Sequence, residues 1–463
     1  MVREVAAFVT LAAMCAVEGC SSKSSAGASS PPDAAVVPVE TAGCGTTRLL
    51  SVPDDPSLPG PWPVGVQTVF IPVNGGGPAD GGVGVTGMDG GAPGTGFSLT
   101  TEIWYPATIG SEVGQTQKTY DFRDWLPPSQ RSKVPDSAVA TQFQSGCYPN
   151  LPLDATHGPY PAVIFIHGTG SIRIGSGSEA VQWASRGFIV VAADHPGLDM
   201  EDSLAEAGEL LGAAANGPCP GSGIAQDVSR DVDAEIGALT TPSGDLGFLA
   251  GSIDMTRIAI SGHSQGAGDA ASFSGKPNVE VDMPLATPSA VSPSSTLKSV
   301  LIMAGESDKV IPFMDDVTSY GSSPAPKRLV GIPNDGHLVP TDLCYLTNTQ
   351  GQNIEQAGEQ YDVCGVAAVG RLLFDCSSSY LGETTGNAIM NYATTAALEE
   401  TLHCVDRSRA WANLVSHFAA PDAGGLDAGV TLEFDQDLES GSEAGTSSDG
   451  GAEGAVVDGG AED

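Results

Sequence analysis

A short segment in the second half of the chain joins an apolar strand to a small-residue helix through a serine flanked by glycines. The strand candidate covers 257–260, the sequence Gly-His-Ser-Gln-Gly fills 262–266, and a helix candidate covers 265–274. This is the only G-x-S-x-G match in the chain. A sharp turn from strand to helix requires glycines on both sides of the serine. The segment therefore predicts that the Ser264 hydroxyl projects from the carboxyl edge of a sheet.

Short apolar runs alternate with amphipathic stretches along most of the chain, which is typical of strands joined by crossover helices. Several runs are almost entirely aliphatic, which indicates strands covered on both faces. We predict an α/β fold with a mostly parallel central sheet and helices on both faces. The strand candidates are Val66–Val73, Leu99–Tyr105, Ala162–Ile166, Phe188–Ala192, Arg257–Ile260, Ser299–Ala304 and Lys327–Gly331. The helix candidates are 177–186, 227–240, 265–274 and 386–403.

A serine hydroxyl is a poor nucleophile at neutral pH, so a catalytic role for Ser264 requires an imidazole and a carboxylate. Around a turn of this kind the partners follow in the order serine, acid, histidine, each after a later strand. Asp308 follows the strand candidate at 299–304, and His337 follows the one at 327–331. We therefore predict Ser264 as nucleophile, His337 as general base and Asp308 as the acid that orients the histidine.

Other histidines and acidic residues fit these roles less well. The remaining histidines precede a strand, belong to earlier loops, lie inside the turn itself, or lie on or beyond the last helix; they are His157, His167, His195, His263, His403 and His417. The acidic neighbours of Asp308 are interpreted as solvated loop charges; they are Glu306, Asp315 and Asp316.

Acyl transfer at a serine also needs N–H groups that stabilise the developing oxyanion. One is predicted to be the backbone N–H of Gln265, directly after the nucleophile. The other is expected in the loop His167-Gly168-Thr169-Gly170, after the strand at 162–166, and we predict Thr169. The alternative interpretation of this loop is a plain turn from strand to helix.

The charge balance excludes one class of partner. The chain has 19 Lys and Arg against 56 Asp and Glu, a net charge of -37. Such a chain repels phosphate backbones and anionic lipid headgroups. Nucleic-acid binding is therefore not expected.

The N-terminus carries the features of an export signal. Arg3 precedes an apolar run over 6–17, and Glu18-Gly19-Cys20 and serines follow. This order is typical of a signal peptide, here 1–19, and the run is too short to span a bilayer. Val17-Glu18-Gly19-Cys20 also resembles a bacterial lipoprotein cleavage box, which would leave Cys20 acylated as a membrane anchor. Glu18 departs from the small residue usual there, so plain secretion stays the alternative.

Seven cysteines remain after removal of Cys15 and Cys20. An odd number in an oxidising compartment predicts up to three disulfides and one free thiol, with the connectivity left open. No C-x-x-C pair occurs among them, so neither a metal site nor a redox site is predicted. The seven are Cys44, Cys147, Cys219, Cys344, Cys364, Cys376 and Cys404.

Composition divides the rest of the chain. Residues 20–45 are mostly Ser, Ala and Pro and are predicted to form a disordered tether, followed by the α/β domain at 46–420. A glycine-rich insertion at about 74–96 is expected to be a surface loop between two strands. Residues 421–463 contain 12 acidic residues and no basic one, so we predict a disordered tail. Segment 198–226 is expected at the carboxyl edge of the sheet, as part of a lid or as a surface excursion.

Several short segments together resemble the bacterial relatives of platelet-activating factor acetylhydrolase, which are also called predicted dienelactone hydrolases. The most specific of them are Ile-Trp-Tyr-Pro-Ala at 103–107 and the run around Gly187-Phe188. The resemblance covers about 60 to 405, although chlorophyllase-like and polyester-hydrolase-like enzymes have a similar core. The other matching segments are 63–69, 167–168, 194–197, 262–266 and 336–338.

The resemblance implies an α/β-hydrolase fold and a calcium-independent esterase or lipase without metal or cofactor. It assigns the same catalytic roles to Ser264, Asp308 and His337, and the oxyanion donors to Thr169 and Gln265. The function predicted is an exported serine hydrolase that cleaves small-molecule or lipid esters. The alternative is a surface-anchored binding module that keeps the scaffold without its chemistry.

Overall fold

The aliphatic runs form a central sheet of ten strands. Residues of β6 are buried along the whole strand, as expected where helices cover both faces of a sheet. The ten strands are β3 (Val64–Asn74), β4 (Gly96–Pro106), β5 (Cys147–Pro149), β6 (Tyr160–Ile166), β7 (Ile189–Ala193), β8 (Ile253–His263), β9 (Val279–Leu285), β10 (Ser299–Gly305), β11 (Lys327–Ile332) and β12 (Glu433–Asp437). A separate two-stranded sheet pairs β1 (Glu40–Ala42) with β2 (Arg48–Leu50).

The computed structural model describes residues 40–44, 48–74, 96–139, 145–210, 219–373, 375–376, 378–420 and 429–439. All of them lie in one compact unit of the chain, Val39–Asp463. The predicted signal peptide, Cys20 and the tether up to residue 39 lie outside the described residues. The same holds for 75–95 of the glycine-rich insertion and for 440–463 of the predicted tail.

The order of the strands is β12-β11-β10-β9-β8-β6-β7-β4-β3-β5. Strands β6 to β11 pair in parallel, whereas β3 and β4 form an antiparallel pair, and β4 and β12 join their neighbours antiparallel. Because the carboxyl ends of parallel strands meet at one edge, the loops after β6, β7, β8, β10 and β11 lie together. The predicted mostly parallel sheet is confirmed.

Helices cover both faces of the sheet. Residues of α1 and α8 pack with Val163 and Phe165 of β6 on one face, while residues of α3 and α4 pack with Ile164 and Ile166 on the other. Alternate residues of one buried strand thus pack into two hydrophobic cores, one on each face of the sheet. The helices are α1 (Gly177–Ser185), α2 (Met200–Leu210), α3 (Val228–Thr240), α4 (Gln265–Phe273), α5 (Phe313–Ser322), α6 (Ile354–Gln360), α7 (Val366–Leu373), α8 (Glu383–Leu402) and α9 (Ser408–Ala419).

All seven predicted strands and all four predicted helices are present. The predicted strands do not include β9, an interior strand between β8 and β10. Glu280 and Asp282 interrupt its apolar run, so the segment does not resemble a doubly buried strand. The predicted helices do not include α2, α5, α6, α7 and α9 or the short 3-10 helices that begin at Phe122, Arg131 and Asp136.

Two boundaries predicted from composition are wrong. The predicted tether at 20–45 includes residues 40–42, which form β1. The predicted disordered tail at 421–463 includes β12, which pairs antiparallel with β11. Val430, Leu432 and Phe434 alternate along this segment, so their side chains reach the core, where the Phe434 ring stacks on Trp411 at 6.0 Å between centroids. Because the segment is acidic overall, its short alternation of apolar and polar residues does not stand out as a strand in the sequence.

Three disulfides connect distant parts of the described chain, as the cysteine count predicts. Cys44 pairs with Cys404, Cys219 with Cys364, and Cys344 with Cys376. Cys147 is the buried free thiol among the described residues. Disulfides persist in oxidising compartments, so three of them indicate an extracellular or exported protein.

The described part of the chain contains neither a membrane-spanning helix nor a cluster of metal-binding side chains. No helix there has both the length and the apolar composition that a membrane crossing requires. No group of three or more His, Cys, Asp or Glu side chains there is arranged to hold a metal ion.

Several carboxyl groups are buried inside the unit. The two carboxylate oxygens of Asp282 have no hydrogen-bond partner among the described residues, and the same holds for the two oxygens of Glu235. Burial raises the pKa of Asp282 well above its usual range and the pKa of Glu235 to about 7. Burial also raises the pKa of Asp316 to about 8, although one of its oxygens accepts the N–H of Thr287. Each of these groups binds its proton more tightly in the folded state than in the unfolded chain.

We expect the stability that these carboxyl groups contribute to fall as the pH rises from 5 to 8. The contribution of these carboxyls is fully present below the unfolded pKa of about 4 and is lost as the pH rises through the folded pKa values. Removing one of these carboxyl groups should therefore stabilise the protein more at pH 8 than at pH 5, measured as the change in melting temperature. Asp282→Asn should raise the melting temperature at pH 8 more than at pH 5. Asp245→Asn, at an exposed position, serves as control; an equal gain in both variants would contradict the prediction.

Candidate active site

The turn around Ser264 has the geometry that its glycines predict. Ser264 has φ 57° and ψ −119°, a conformation that a residue other than glycine rarely adopts, so the turn is strained. A Cβ on Gly262 would lie 2.4 Å from the carbonyl oxygen of Gly266, and a Cβ on Gly266 would lie 2.3 Å from that of Ile166. Both positions therefore exclude any larger residue. The turn leads from β8 into α4 and leaves the Ser264 side chain partly accessible.

Ser264, His337 and Asp308 lie together at the carboxyl edge of the sheet. His337 Nε2 is 2.9 Å from Ser264 Oγ, and His337 Nδ1 is 2.7 Å from Asp308 Oδ2. The imidazole is buried, with 2 % of the residue exposed. A proton on Nδ1 donated to the carboxylate leaves Nε2 free to accept the serine proton, which is the tautomer that general-base catalysis requires.

The Asp308 carboxylate is held in place by backbone groups. Its Oδ1 accepts the N–H of Val310 at 2.7 Å and the N–H of Ile311 at 2.9 Å. These bonds leave Oδ2 directed at the imidazole. The acidic neighbours lie elsewhere: Asp316 bonds the backbone of Thr287, and Asp315 is exposed on α5.

A second histidine supports the loop that carries His337. His263 Nε2 donates to the His337 carbonyl oxygen at 2.8 Å, so Nε2 carries the proton. Burial lowers the pKa of His263 well below its usual value, and the neighbouring His337 lowers it further. His263 is the second residue of the Gly-x-Ser-x-Gly pattern. Its neutral ring donates the hydrogen bond that fixes the backbone at His337.

The loop after β6 passes close to the nucleophile. A Cβ on Gly168 would lie 3.0 Å from Ser264 Cβ, so glycine allows this approach. In the same loop Gly170 N–H donates to the Leu198 carbonyl oxygen, whereas the N–H of Thr169 donates to no group in the described part of the chain. Gln265 is the first residue of α4, so its N–H has no partner within the helix. Neither predicted oxyanion donor thus has a hydrogen-bond acceptor for its N–H among the described residues: Gln265 directly follows Ser264, and Thr169 follows Gly168, which lies close to Ser264.

The other histidines have different partners. His167 Nδ1 donates to the Gly168 carbonyl oxygen at 2.9 Å and its Nε2 accepts the N–H of His195 at 3.1 Å. Burial and the neighbouring His195 lower the pKa of His167 to about 4, so this ring is neutral and structural. His157 contacts Asp154, His403 stacks on Phe188, and His417 lies against Tyr392.

A disulfide and an ion pair join the segment 198–226 to two other parts of the chain. The segment predicted as a lid or surface excursion contains α2, which begins directly after the loop that contacts Gly170. Cys219 ties this segment to Cys364 before α7, and Arg131 of the inserted 3-10 region pairs with Glu201 at 3.2 Å. The described part of 198–226 is thus cross-linked to its neighbours rather than attached at its ends alone.

Sequence comparison identifies one family over part of the chain. The model of the family "Platelet-activating factor acetylhydrolase, isoform II" matches residues 128–202, which include β6, the loop with Thr169, α1 and β7. Over this stretch the chain resembles that family. The resemblance inferred from short motifs is therefore confirmed here, on a stretch that ends before Ser264. No curated protein matches the chain significantly.

Solved structures also resemble the chain. The ferulic acid esterase from Streptomyces cinnamoneus matches 74% of this chain and 91% of its own, with a TM-score of 0.44 and 16% sequence identity.

Proposed function

We propose that the protein is an exported serine hydrolase that cleaves carboxylic esters through an acyl-Ser264 intermediate. The observation that carries the proposal is the continuous chain of hydrogen bonds from Ser264 Oγ through His337 to Asp308, at 2.9 and 2.7 Å. A strained serine turn preceded by a parallel strand is the setting in which such a chain performs acyl transfer.

The proposed reaction has two halves. His337 Nε2 accepts the Ser264 proton as Oγ attacks the ester carbonyl, and the N–H groups of Thr169 and Gln265 stabilise the oxyanion that forms. The same proton then passes to the leaving alcohol as its bond to the acyl carbon breaks. Water, deprotonated by His337, attacks the acyl-serine, and collapse of the second tetrahedral intermediate releases the carboxylic acid and returns the proton to Ser264. Asp308 stabilises the imidazolium in both halves.

Ester hydrolysis is favoured over amide hydrolysis by the family match. The matched family is named for an acetylhydrolase, and its model covers the loop that contains the proposed donor Thr169. The hydrogen-bonded side chains of Ser264, His337 and Asp308 support this proposal, because they would supply the nucleophile and the base for hydrolysis of an acetate ester.

The test combines labelling with a substrate panel. We expect a fluorophosphonate probe to label the folded protein at Ser264, as located by mass spectrometry of the labelled peptide. Nitrophenyl esters from acetyl to palmitoyl should be hydrolysed, with the rate as a function of chain length defining the substrate. Folded protein that neither reacts with the probe nor hydrolyses any ester of the panel would instead indicate a binding module without chemistry.

Export is supported by the three disulfides. We propose in addition that the mature chain begins at an acylated Cys20, because Val17-Glu18-Gly19-Cys20 follows the apolar run. Mass spectrometry of the N-terminal peptide distinguishes this from plain secretion: a free amine on an unmodified residue would contradict the anchor.

A further inference from the structure

A buried arginine lies in the same loop as the proposed oxyanion donor Thr169. The backbone N–H of Arg173 donates to Asp194 Oδ1 at 2.7 Å, and its Nη1 bonds to Asp194 Oδ2. Its Nε lies 3.4 Å from Glu102 Oε2. The guanidinium packs on Trp125, with Cζ 4.9 Å from the ring centroid. Arg173 therefore joins the loop after β6 to the loop after β7 and to β4.

The two carboxylates that bind this arginine are themselves held by other side chains. Asp194 accepts the indole N–H of Trp125 at 3.2 Å. Glu102 accepts the hydroxyl of Thr68 at 2.9 Å and that of Tyr120 at 3.3 Å. A planar guanidinium between two fixed carboxylates has little freedom to move. A lysine ammonium in the same place would not be held in one orientation.

Two further hydrogen bonds join the same two loops, one made by a residue before Thr169 in the sequence and one by the residue after it. The N–H of His195 donates to His167 Nε2 at 3.1 Å, and the N–H of Gly170 donates to the Leu198 carbonyl oxygen at 2.9 Å. A shift of one loop against the other therefore moves the Thr169 amide relative to Ser264. Among these contacts, those of Arg173 are the charge-assisted ones, which are stronger than bonds between neutral groups.

We propose that Arg173 is a positioning residue for the oxyanion loop: it holds the Thr169 amide where the carbonyl oxygen of a substrate bound at Ser264 becomes negative. This inference rests on the proposed function. Loss of a whole oxyanion donor lowers kcat about 100- to 1000-fold, and a displacement of about 1 Å costs up to about 100-fold. A displaced donor should therefore reduce kcat by an intermediate factor.

Arg173→Lys keeps the charge but cannot contact both Asp194 and Glu102. We expect kcat for a nitrophenyl ester to fall about 30-fold while KM changes less than about threefold, because the donor acts mainly on the transition state. Trp125→Phe keeps a ring under the guanidinium but removes the N–H to Asp194. This milder change should lower kcat about threefold, again without a change in KM.

Arg186 provides a matched control. It is also a buried arginine bound to a carboxylate, with Nε 2.7 Å from Glu399 Oε1, and it follows α1 at the start of the turn into β7. Because β7 runs toward the edge that carries the site, Arg186 lies at the opposite edge. Arg186→Lys should lower the melting temperature as much as Arg173→Lys does, with kcat within about twofold of wild type.

Three results would overturn the assignment. They are wild-type kcat in folded Arg173→Lys, a change confined to KM, and an equal loss of kcat in Arg186→Lys. If Arg173→Lys does not fold, Trp125→Phe decides, and unchanged kcat in that variant overturns the role. Activity that survives in Ser264→Ala would refute the proposed function as well, whereas Ser264-dependent activity that is insensitive to Arg173 and Trp125 refutes the positioning role alone.

Discussion

Ser264→Ala should lower kcat for nitrophenyl acetate by about 10⁵-fold or more, to a rate set by the oxyanion donors and the binding site alone. The substitution removes the nucleophile and the partner of His337 Nε2, and the acyl-enzyme cannot form. Alanine fits the same backbone conformation about as well as serine, so the melting temperature should change by less than about 2 °C. Initial rates and thermal denaturation of the purified variant measure both effects.

Ser272→Ala is the control, because Ser272 lies exposed on the same helix as the serine turn. This variant should keep wild-type kcat and fluorophosphonate labelling. Hydrolysis at the wild-type rate by Ser264→Ala would remove the nucleophile assignment, whatever the behaviour of the control.

Asp308→Asn should lower kcat about 10⁴-fold with little change in KM. The amide oxygen can still accept the N–H groups of Val310 and Ile311, so the loop should keep its shape. The amide group that then faces His337 Nδ1 carries no charge to stabilise an imidazolium, and as an N–H donor it favours the wrong tautomer. Steady-state kinetics at saturating ester measures the loss.

Asp315→Asn makes the same chemical change at an exposed position seven residues along the chain. Its kcat should equal that of wild type within about twofold. A loss in Asp315→Asn comparable to that in Asp308→Asn would place the orienting acid elsewhere on this loop or attribute the effect to the overall charge.

The sheet and the positions of Ser264, Asp308 and His337 at its edge follow from local signals in the sequence. The glycines at 262 and 266 are required by contacts of 2.4 and 2.3 Å that any Cβ would make, so the pattern reports a real steric constraint. Asp308 and His337 each follow a buried strand, and parallel strands bring such loops to one edge. The same logic failed at β9, where two acidic residues break the apolar run and the carboxyl group of Asp282 is buried without a hydrogen-bond partner among the described residues.

The surroundings of the site could not be predicted in this way. Cys219 and Cys364 are 145 residues apart, and no spacing indicates that pair. The contacts of Arg173 connect it to positions 102, 125 and 194, each on a different element. A lone arginine after a strand has no pattern of its own, so only the folded arrangement reveals its partners.

The pairing of β12 with β11 also sets an order of events during biosynthesis. β11 ends at Ile332, but its outer neighbour begins at Glu433, after α6 to α9. While the ribosome makes the helices in between, the N–H and C=O groups along that side of β11 have no neighbouring strand. They can then pair with strands of other chains, which leads to aggregation. A nascent chain that stalls before Glu433 should therefore depend on chaperones that shield extended segments.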